Sequence, residues 1–170
     1  MKSQSKKASA PRASRPHIPG YGIPTTRKGM LSWDHAEERL GRSRHDWVAT
    51  SSTDGRPHAV PVWGVWLEGA LCFGGGPQTR WARNLFGNPA VSIHLEPGDD
   101  VVILEGTVER VSDPEDPLVE RVRDAYDRKY ETRHPPSLSR GIAVRGRRPA
   151  SSSASRPPRA EAGTLSETNG

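Results

Sequence analysis

Between Trp47 and Asn84 the chain reads WVATSSTDGRPHAVPVWGVWLEGALCFGGGPQTRWARN. β-Branched and aromatic residues fill its runs, while Asp54-Gly55, Glu68-Gly69 and Gly74-Gly75-Gly76 punctuate them. The order predicted is strand, tight turn, long strand, tight turn, strand, glycine loop and helix. That order is the frame of a small antiparallel barrel, so the fold class is mainly β with peripheral helices. A strand that runs into glycines and then into a helix whose first turn carries Thr79, Arg80 and Arg83 is also a seat for an anion such as phosphate, because unpaired N–H groups and the helix dipole converge there. Arg80 and Arg83, three residues apart, share one helix face and can both lean toward that anion.

Around this frame, a first helix is predicted from Trp33 to Leu40, with Ser32 as N-cap, Asp34, Glu37 and Glu38 favouring its dipole and Gly41 at its end. Ala36 and Leu40 face the barrel. The first strand spans Asp46 to Ser52, and the second runs unbroken from about His58 to Leu67. In the second, Val60, Val62 and Trp66 lie on one face and Ala59, Trp63 and Val65 on the other, a pattern of two-sided burial. Pro61 removes a ladder donor in mid-strand, which calls for a free edge, a bulge or a ligand alongside. The third strand is Ala70 to Phe73, and a short helix follows from Thr79 to Phe86. Two more strands, Ala90 to Leu95 and Val101 to Val111, precede an amphipathic helix capped by Asp116 and Pro117 and reaching Tyr130. Gly141 to Arg145 is a further candidate strand.

Charge divides the chain. Residues 1–30 hold seven Lys or Arg and no acid, residues 140–170 hold six Arg against Glu161 and Glu167, and the intervening segment is left with a net charge of −6. Only 32% of the chain is hydrophobic, lean for a compact globule of this length. The expected organisation is a disordered basic arm over 1–22, a cofactor-binding barrel over 23–145 and a disordered Ser/Arg/Pro-rich tail over 146–170. Basic flanks of that composition argue against a nucleic-acid partner, despite the pI of about 9.8. A lone cysteine, Cys72, fits a reducing compartment, and the absence of a long apolar run argues against a membrane span, so a cytoplasmic protein is expected.

Catalytic and metal-binding patterns are missing from the sequence. The six histidines are scattered singly, with no metal spacing. Neither a G-x-S-x-G nor a phosphate-binding P-loop is present. Asp99-Asp100 reads as a turn in its Pro-Gly context. No catalytic side chain is assigned, although Thr50 or Ser52 could hand a proton to a substrate.

The segments WVATSSTDGRPHAVPVWGVWLEGALCF, TRWARNLFGNPAVSIHL and VVILEGTVERV, with SWDHAEERL upstream, resemble the pyridoxamine 5′-phosphate oxidase-like, flavin-binding split-barrel family. Within it they are most similar to the actinobacterial branch that includes reductases dependent on the deazaflavin coenzyme F420. The resemblance covers roughly residues 20–130. It implies a six-stranded antiparallel split β-barrel, a homodimer holding two cofactors at its interface, and reduced-F420-dependent hydride transfer to a small organic acceptor. FMN-dependent chemistry, or cofactor binding without turnover, are the alternatives it leaves. It implies that the ring lies along Val60, Pro61, Val62 and Trp63, and that the phosphate sits near Thr79, Arg80 and Arg83, with Gly74 and Gly75 allowing close backbone approach. Two departures stand out. Many relatives have lysine where this chain has Trp81, so Trp81 either stacks on the cofactor or marks weakened phosphate binding. Relatives also finish on a barrel-closing strand, often with a Trp-Arg pair, where this chain has its Ser/Arg/Pro stretch. Pyridoxamine phosphate oxidases carry substrate-binding Arg and His residues in that region, which argues against vitamin B6 as substrate.

Overall fold

The Asp54-Gly55 turn, with Gly55 at a φ of 84°, closes the first hairpin as its sequence predicts. The computed structural model describes residues 13–14, 19–20, 22, 25–28, 30–98, 100–111, 113–131, 143–146 and 151–155. In chain order its elements are β1 (Ala13–Ser14), α1 (Trp33–Arg42), β2 (Asp46–Ser51), β3 (Pro57–Val62), β4 (Gly64–Leu67), β5 (Ala70–Phe73), α2 (Arg80–Gly87), β6 (Ala90–Leu95), β7 (Val101–Val111), α3 (Pro117–Tyr130), β8 (Ala143–Gly146) and β9 (Ser151–Ser155). Caps are local and appear as expected: the Ser32 side chain accepts from His35 N–H, and the Asp116 side chain accepts from Leu118 N–H beside Pro117.

Hydrogen bonding links the strands in the order β3-β2-β6-β7-β8-β5-β4. The pairs along this path are antiparallel. The long strand β7 serves both halves, since residues 103–107 pair with β6 and residues 108–111 pair with β8. The mainly β, antiparallel architecture matches expectation, whereas the six-stranded split barrel is not seen as such: β3 and β4 form the two ends of the path and share no ladder among the described residues. They are joined covalently through Trp63, which belongs to neither strand. The expected single strand from His58 to Leu67 is therefore two, and the break falls between Pro61, which cannot donate to a ladder, and Gly64.

The two faces assigned to this segment hold, but their burial differs along it. Val60, Val62 and Trp66 pack on the main core with Val48, Phe73, Leu85, Ile93 and Leu104. On the opposite face, Val65 is buried under α3, whereas Ala59 and Pro61 are exposed. The strand covered on both sides is instead β5, where Leu71 and Phe73 enter the main core and Cys72 joins Leu118, Val119, Val122 and Tyr126 of α3. α1 is tied to the β6–β7 turn by Asp100, whose carboxylate meets His35 Nε2 at 3.0 Å and Arg39 Nε at 3.1 Å.

The stretch expected to be a disordered tail contributes structure: β9 lies antiparallel to β7 from Val101 to Glu105, and β1, inside the expected arm, lies parallel to β9. Backbone pairing with an open strand asks little of side chains, so Ser-rich composition does not prevent it. The other residues of 1–18 and 147–170 lie outside the described residues.

Edge chemistry follows from register. Ser52 N–H donates to Arg56 O, and the pairs Thr50↔His58, Val48↔Val60 and Asp46↔Val62 repeat at two-residue steps. These are the bonded pairs, so the peptide groups of Pro57, Ala59 and Pro61 point away from β2. Both prolines thus place their missing donor on the edge that has no strand partner among the described residues, as edge strands require.

Gly75 is needed for packing: a Cβ there would lie 2.8 Å from Cζ2 of the Trp81 ring. Gly75→Ala is expected to lose about 1–3 kcal/mol by overpacking, read from urea unfolding. The double variant Gly75→Ala/Trp81→Phe is expected to cost less than the sum of its single changes.

Candidate functional site

The glycine loop leads from β5 into α2, which packs across β2 and β3. Thr79 takes the N-cap position without capping: its hydroxyl donates to Gly76 O at 2.9 Å, and no side chain caps the helix. The helical ladder begins with Arg83 N–H donating to Thr79 O at 3.1 Å, so the N–H groups of Arg80, Trp81 and Ala82 precede any helical acceptor. No acid occupies the first turn. Arg80 and Arg83 are exposed and make no ion pair among the described residues. Two exposed arginines thus lie within the first four residues of a helix whose first three amides lack a helical acceptor and whose first turn holds no acid.

Trp81 turns into the core from the start of α2. Its indole is 6% exposed and tilts against Phe73 at 5.5 Å between ring centroids. Gly75 has no Cβ because this ring fills the space. The core, not the helix end, takes this side chain.

Along β3 the side chains of Val60 and Val62 turn inward, so anything lying on this edge meets only their main chain. Pro61 and Trp63 project outward, Trp63 at 37% exposure. The Trp63 indole stacks on Tyr130 with centroids 4.6 Å apart and planes 7° from parallel. Thr50, a possible proton donor on the sequence, is buried beneath α2, accepting from Asn84 Nδ2 at 3.0 Å. Ser52 bonds to Asp54 in the hairpin turn. Among the described residues no group of three or more His, Cys, Asp or Glu could hold a metal ion. A surface pocket of about 360 Å³ lies elsewhere, at the start of α3, and its Arg110 and Arg121 are offset by Glu109, Asp113 and Asp116.

Sequence reasoning missed a buried polar cluster beneath Trp63. α3 reaches it with three side chains: Tyr126 donates to Trp63 O, Lys129 Nζ donates to Gly64 O at 2.7 Å, and the Tyr130 hydroxyl accepts from Gly64 N–H at 3.0 Å. The single Tyr130 proton lies within reach of both Gly64 O at 2.9 Å and Arg44 O at 3.0 Å. Burial pushes the Tyr130 hydroxyl up to about 12 and Tyr126 higher still. Against the crossing lies Asp46, fully buried, its carboxylate oxygens without a hydrogen bond. The neighbouring Ser43 hydroxyl gives its proton to His45 O at 2.7 Å. One signal was available: Asp46 shares inward parity with Val48 and Thr50 on β2.

Burial pushes the Asp46 carboxyl up from 3.8 to about 6, opposed by the Lys129 ammonium. With the folded value above the unfolded one, the fold favours the protonated acid. This contribution to stability is complete below about pH 4, falls as pH rises toward 6 and is lost above it. Asp46→Asn is expected to remove a fall of about 3 kcal/mol in unfolding free energy between pH 4 and pH 8, measured as the difference between the two proteins' denaturation profiles.

A family model described as pyridoxamine 5′-phosphate oxidase matches residues 32–154. No curated protein matches the chain. Among solved structures, an F420 reductase is 27% identical, with a TM-score of 0.52 over 65% of this chain and 90% of its own. A FAD-binding protein from Mesorhizobium loti is 21% identical, with a TM-score of 0.56 over 69% of this chain and 90% of its own. A heme storage protein from Vibrio cholerae is 19% identical, with a TM-score of 0.57 over 70% of this chain and 91% of its own. The last two likenesses bear on fold alone. The match over residues 32–154, together with the split antiparallel sheet, establishes that this chain belongs to the pyridoxamine 5′-phosphate oxidase family.

Proposed function

We propose that this protein is an oxidoreductase that binds reduced coenzyme F420, or in second place FMN, and passes a hydride to a small organic acceptor. The observation that carries the reading is the first turn of α2, where three N–H groups precede any helical acceptor, no acid stands, and Arg80 and Arg83 are exposed without an ion pair among the described residues. That donor set suits a phosphate. The free edge of β3, with the outward Pro61 and the Trp63 indole, suits a flat ring whose polar edge can bond to main-chain carbonyls. The likeness to an F420 reductase favours the deazaflavin.

In this reading the cofactor supplies the hydride chemistry, and the chain supplies binding and orientation. Arg80, Arg83 and the amides at the start of α2 hold the phosphate. Gly74 and Gly75 keep the loop backbone close, while the main chain of Val60 to Trp63 lines the ring. No described side chain in the groove is assigned as acid or base, and solvent supplies the proton. A carrier that binds the same cofactor without turnover is the competing reading, separated by whether bound reduced cofactor is oxidised by quinones or enones.

The partner proposed is a second copy of the chain. The outer face of the sheet carries a row of Pro61, Trp47, His94 and Ile103 and a row beginning Ala59, Ala49 and Ser92. Trp47 stacks on His94 with parallel rings 6.2 Å apart. Such a face suits burial against an identical one.

Replacing Arg80 with alanine is expected to weaken F420 or FMN binding by about 1.5–3 kcal/mol, measured by fluorescence titration, with the fold unchanged by circular dichroism. Wild-type affinity in this variant would remove the phosphate seat. Ala59→Arg is expected to convert a dimer into a monomer in light scattering after gel filtration.

A further inference from the structure

The Trp63–Gly64 crossing is held almost wholly by α3. Tyr126 takes the Trp63 carbonyl, while Lys129 and Tyr130 take the Gly64 carbonyl and amide. Of these groups Lys129 is the one whose placement carries a charge penalty, since burial pulls its ammonium below the ordinary lysine range and Asp46 is the charge that opposes the shift. Asp46 in turn lies in an apolar row, between Val62 on β3 and Leu95 on β6. Packing gives no reason for a carboxylate there, and no hydrogen bond stabilises it. It abuts the crossing directly: a Cβ on Gly64 would lie 2.6 Å from Asp46 Oδ2.

We propose that Asp46 is a positioning residue for Trp63: its carboxylate keeps the Lys129 ammonium turned inward onto the Gly64 carbonyl, and this charge pair fixes the crossing and the indole beyond it. The consequence for cofactor binding rests on the function proposed above, whereas the latch stands on the contacts alone. Groups of both kinds face the pair. Tyr126 and Tyr130 approach from α3 and Ser43 from the segment after α1, Cys72 of β5 acts on Tyr126 and Arg44 on Tyr130, and Val62 and Leu95 flank Asp46 without charge. Neutralising Asp46 leaves a half-buried ammonium without its counter-charge, which favours release of Lys129 to solvent. Gly64 O then loses a charged donor, and Trp63 loses one restraint on the peptide that follows it. The Tyr130 stack remains, so the predicted change is a shift of the indole rather than unfolding.

Full-length protein labelled with 5-fluorotryptophan places a fluorine probe on each of Trp33, Trp47, Trp63, Trp66 and Trp81, and Trp63→Phe identifies the Trp63 resonance. That resonance is expected to move with a midpoint near pH 6, the region to which burial raises Asp46. Asp46→Asn and Lys129→Met are each expected to abolish the movement, and Lys129→Arg, which keeps the charge, to preserve it. A Trp63 resonance unaffected by pH and by both neutralising variants overturns the latch, as does a loss of dispersion across all lines in Asp46→Asn, which would make Asp46 merely structural.

FMN and F420 titrations of the same proteins at pH 8 separate the latch from the groove. About tenfold weaker binding to Asp46→Asn supports the consequence drawn for cofactor binding, and affinity equal to wild type overturns that consequence. If the Trp63 resonance follows Asp46 but neither cofactor binds wild-type protein, the groove reading fails and the latch stands.

Discussion

Three side chains of α3 bind the peptide groups of Trp63 and Gly64, and the split form of the sheet depends on that grip. A strand leaving one sheet for another must pass through a stretch where no ladder partner exists, and unpaired buried peptide groups cost about 1–3 kcal/mol each. Tyr126, Lys129 and Tyr130 satisfy these groups in place of a neighbouring strand. Their helix is itself anchored by Leu118, Val119 and Val122 on the back of β4 and β5. The two halves are therefore joined by one peptide segment, one helix and the long strand β7. The geometry on either side of Trp63 is set from the protein interior.

Features governed by near neighbours were legible before any coordinates. The Asp54-Gly55 turn, the Ser32 and Asp116 caps and the apolar parity of β6 and β7 each rest on residues within a few positions of one another. The break at Trp63 was not, because a lone glycine in an apolar run does not announce a change of sheet. Gly64 is required by Asp46, which lies on β2, and its amide is bound by Tyr130, 66 residues further along. Trp81 eluded the sequence for a similar reason. Its partners Phe73 and Gly75 lie across the loop, so its burial depends on how that loop folds back. The pairing of β9 with β7 was hidden because it uses main-chain groups, about which Ser-rich composition says little.

At the candidate site the same division recurs. Arg80 and Arg83 could be placed on one helix face from their spacing, and that helix forms as expected, one residue later at each end. The identity of the side chains available along β3 could not, since Val60 and Val62 face inward and leave main chain, Pro61 and Trp63 on the outer side. Charge is arranged with comparable economy. A segment that is acidic overall keeps carboxylates out of the first turn of α2, so the positive end of that helix is not neutralised from within.

The prolines at positions 57 and 61 have a consequence for how the molecule behaves in a crowded solution. Their side of β3 presents carbonyl acceptors at three successive outward positions but only the Ala59 amide as donor between them. An incoming polypeptide strand needs both in alternation, so it finds a template with two of its rungs missing. The molecule can thus leave one side of its sheet open to small donors while discouraging the strand-by-strand growth that ends in fibrils.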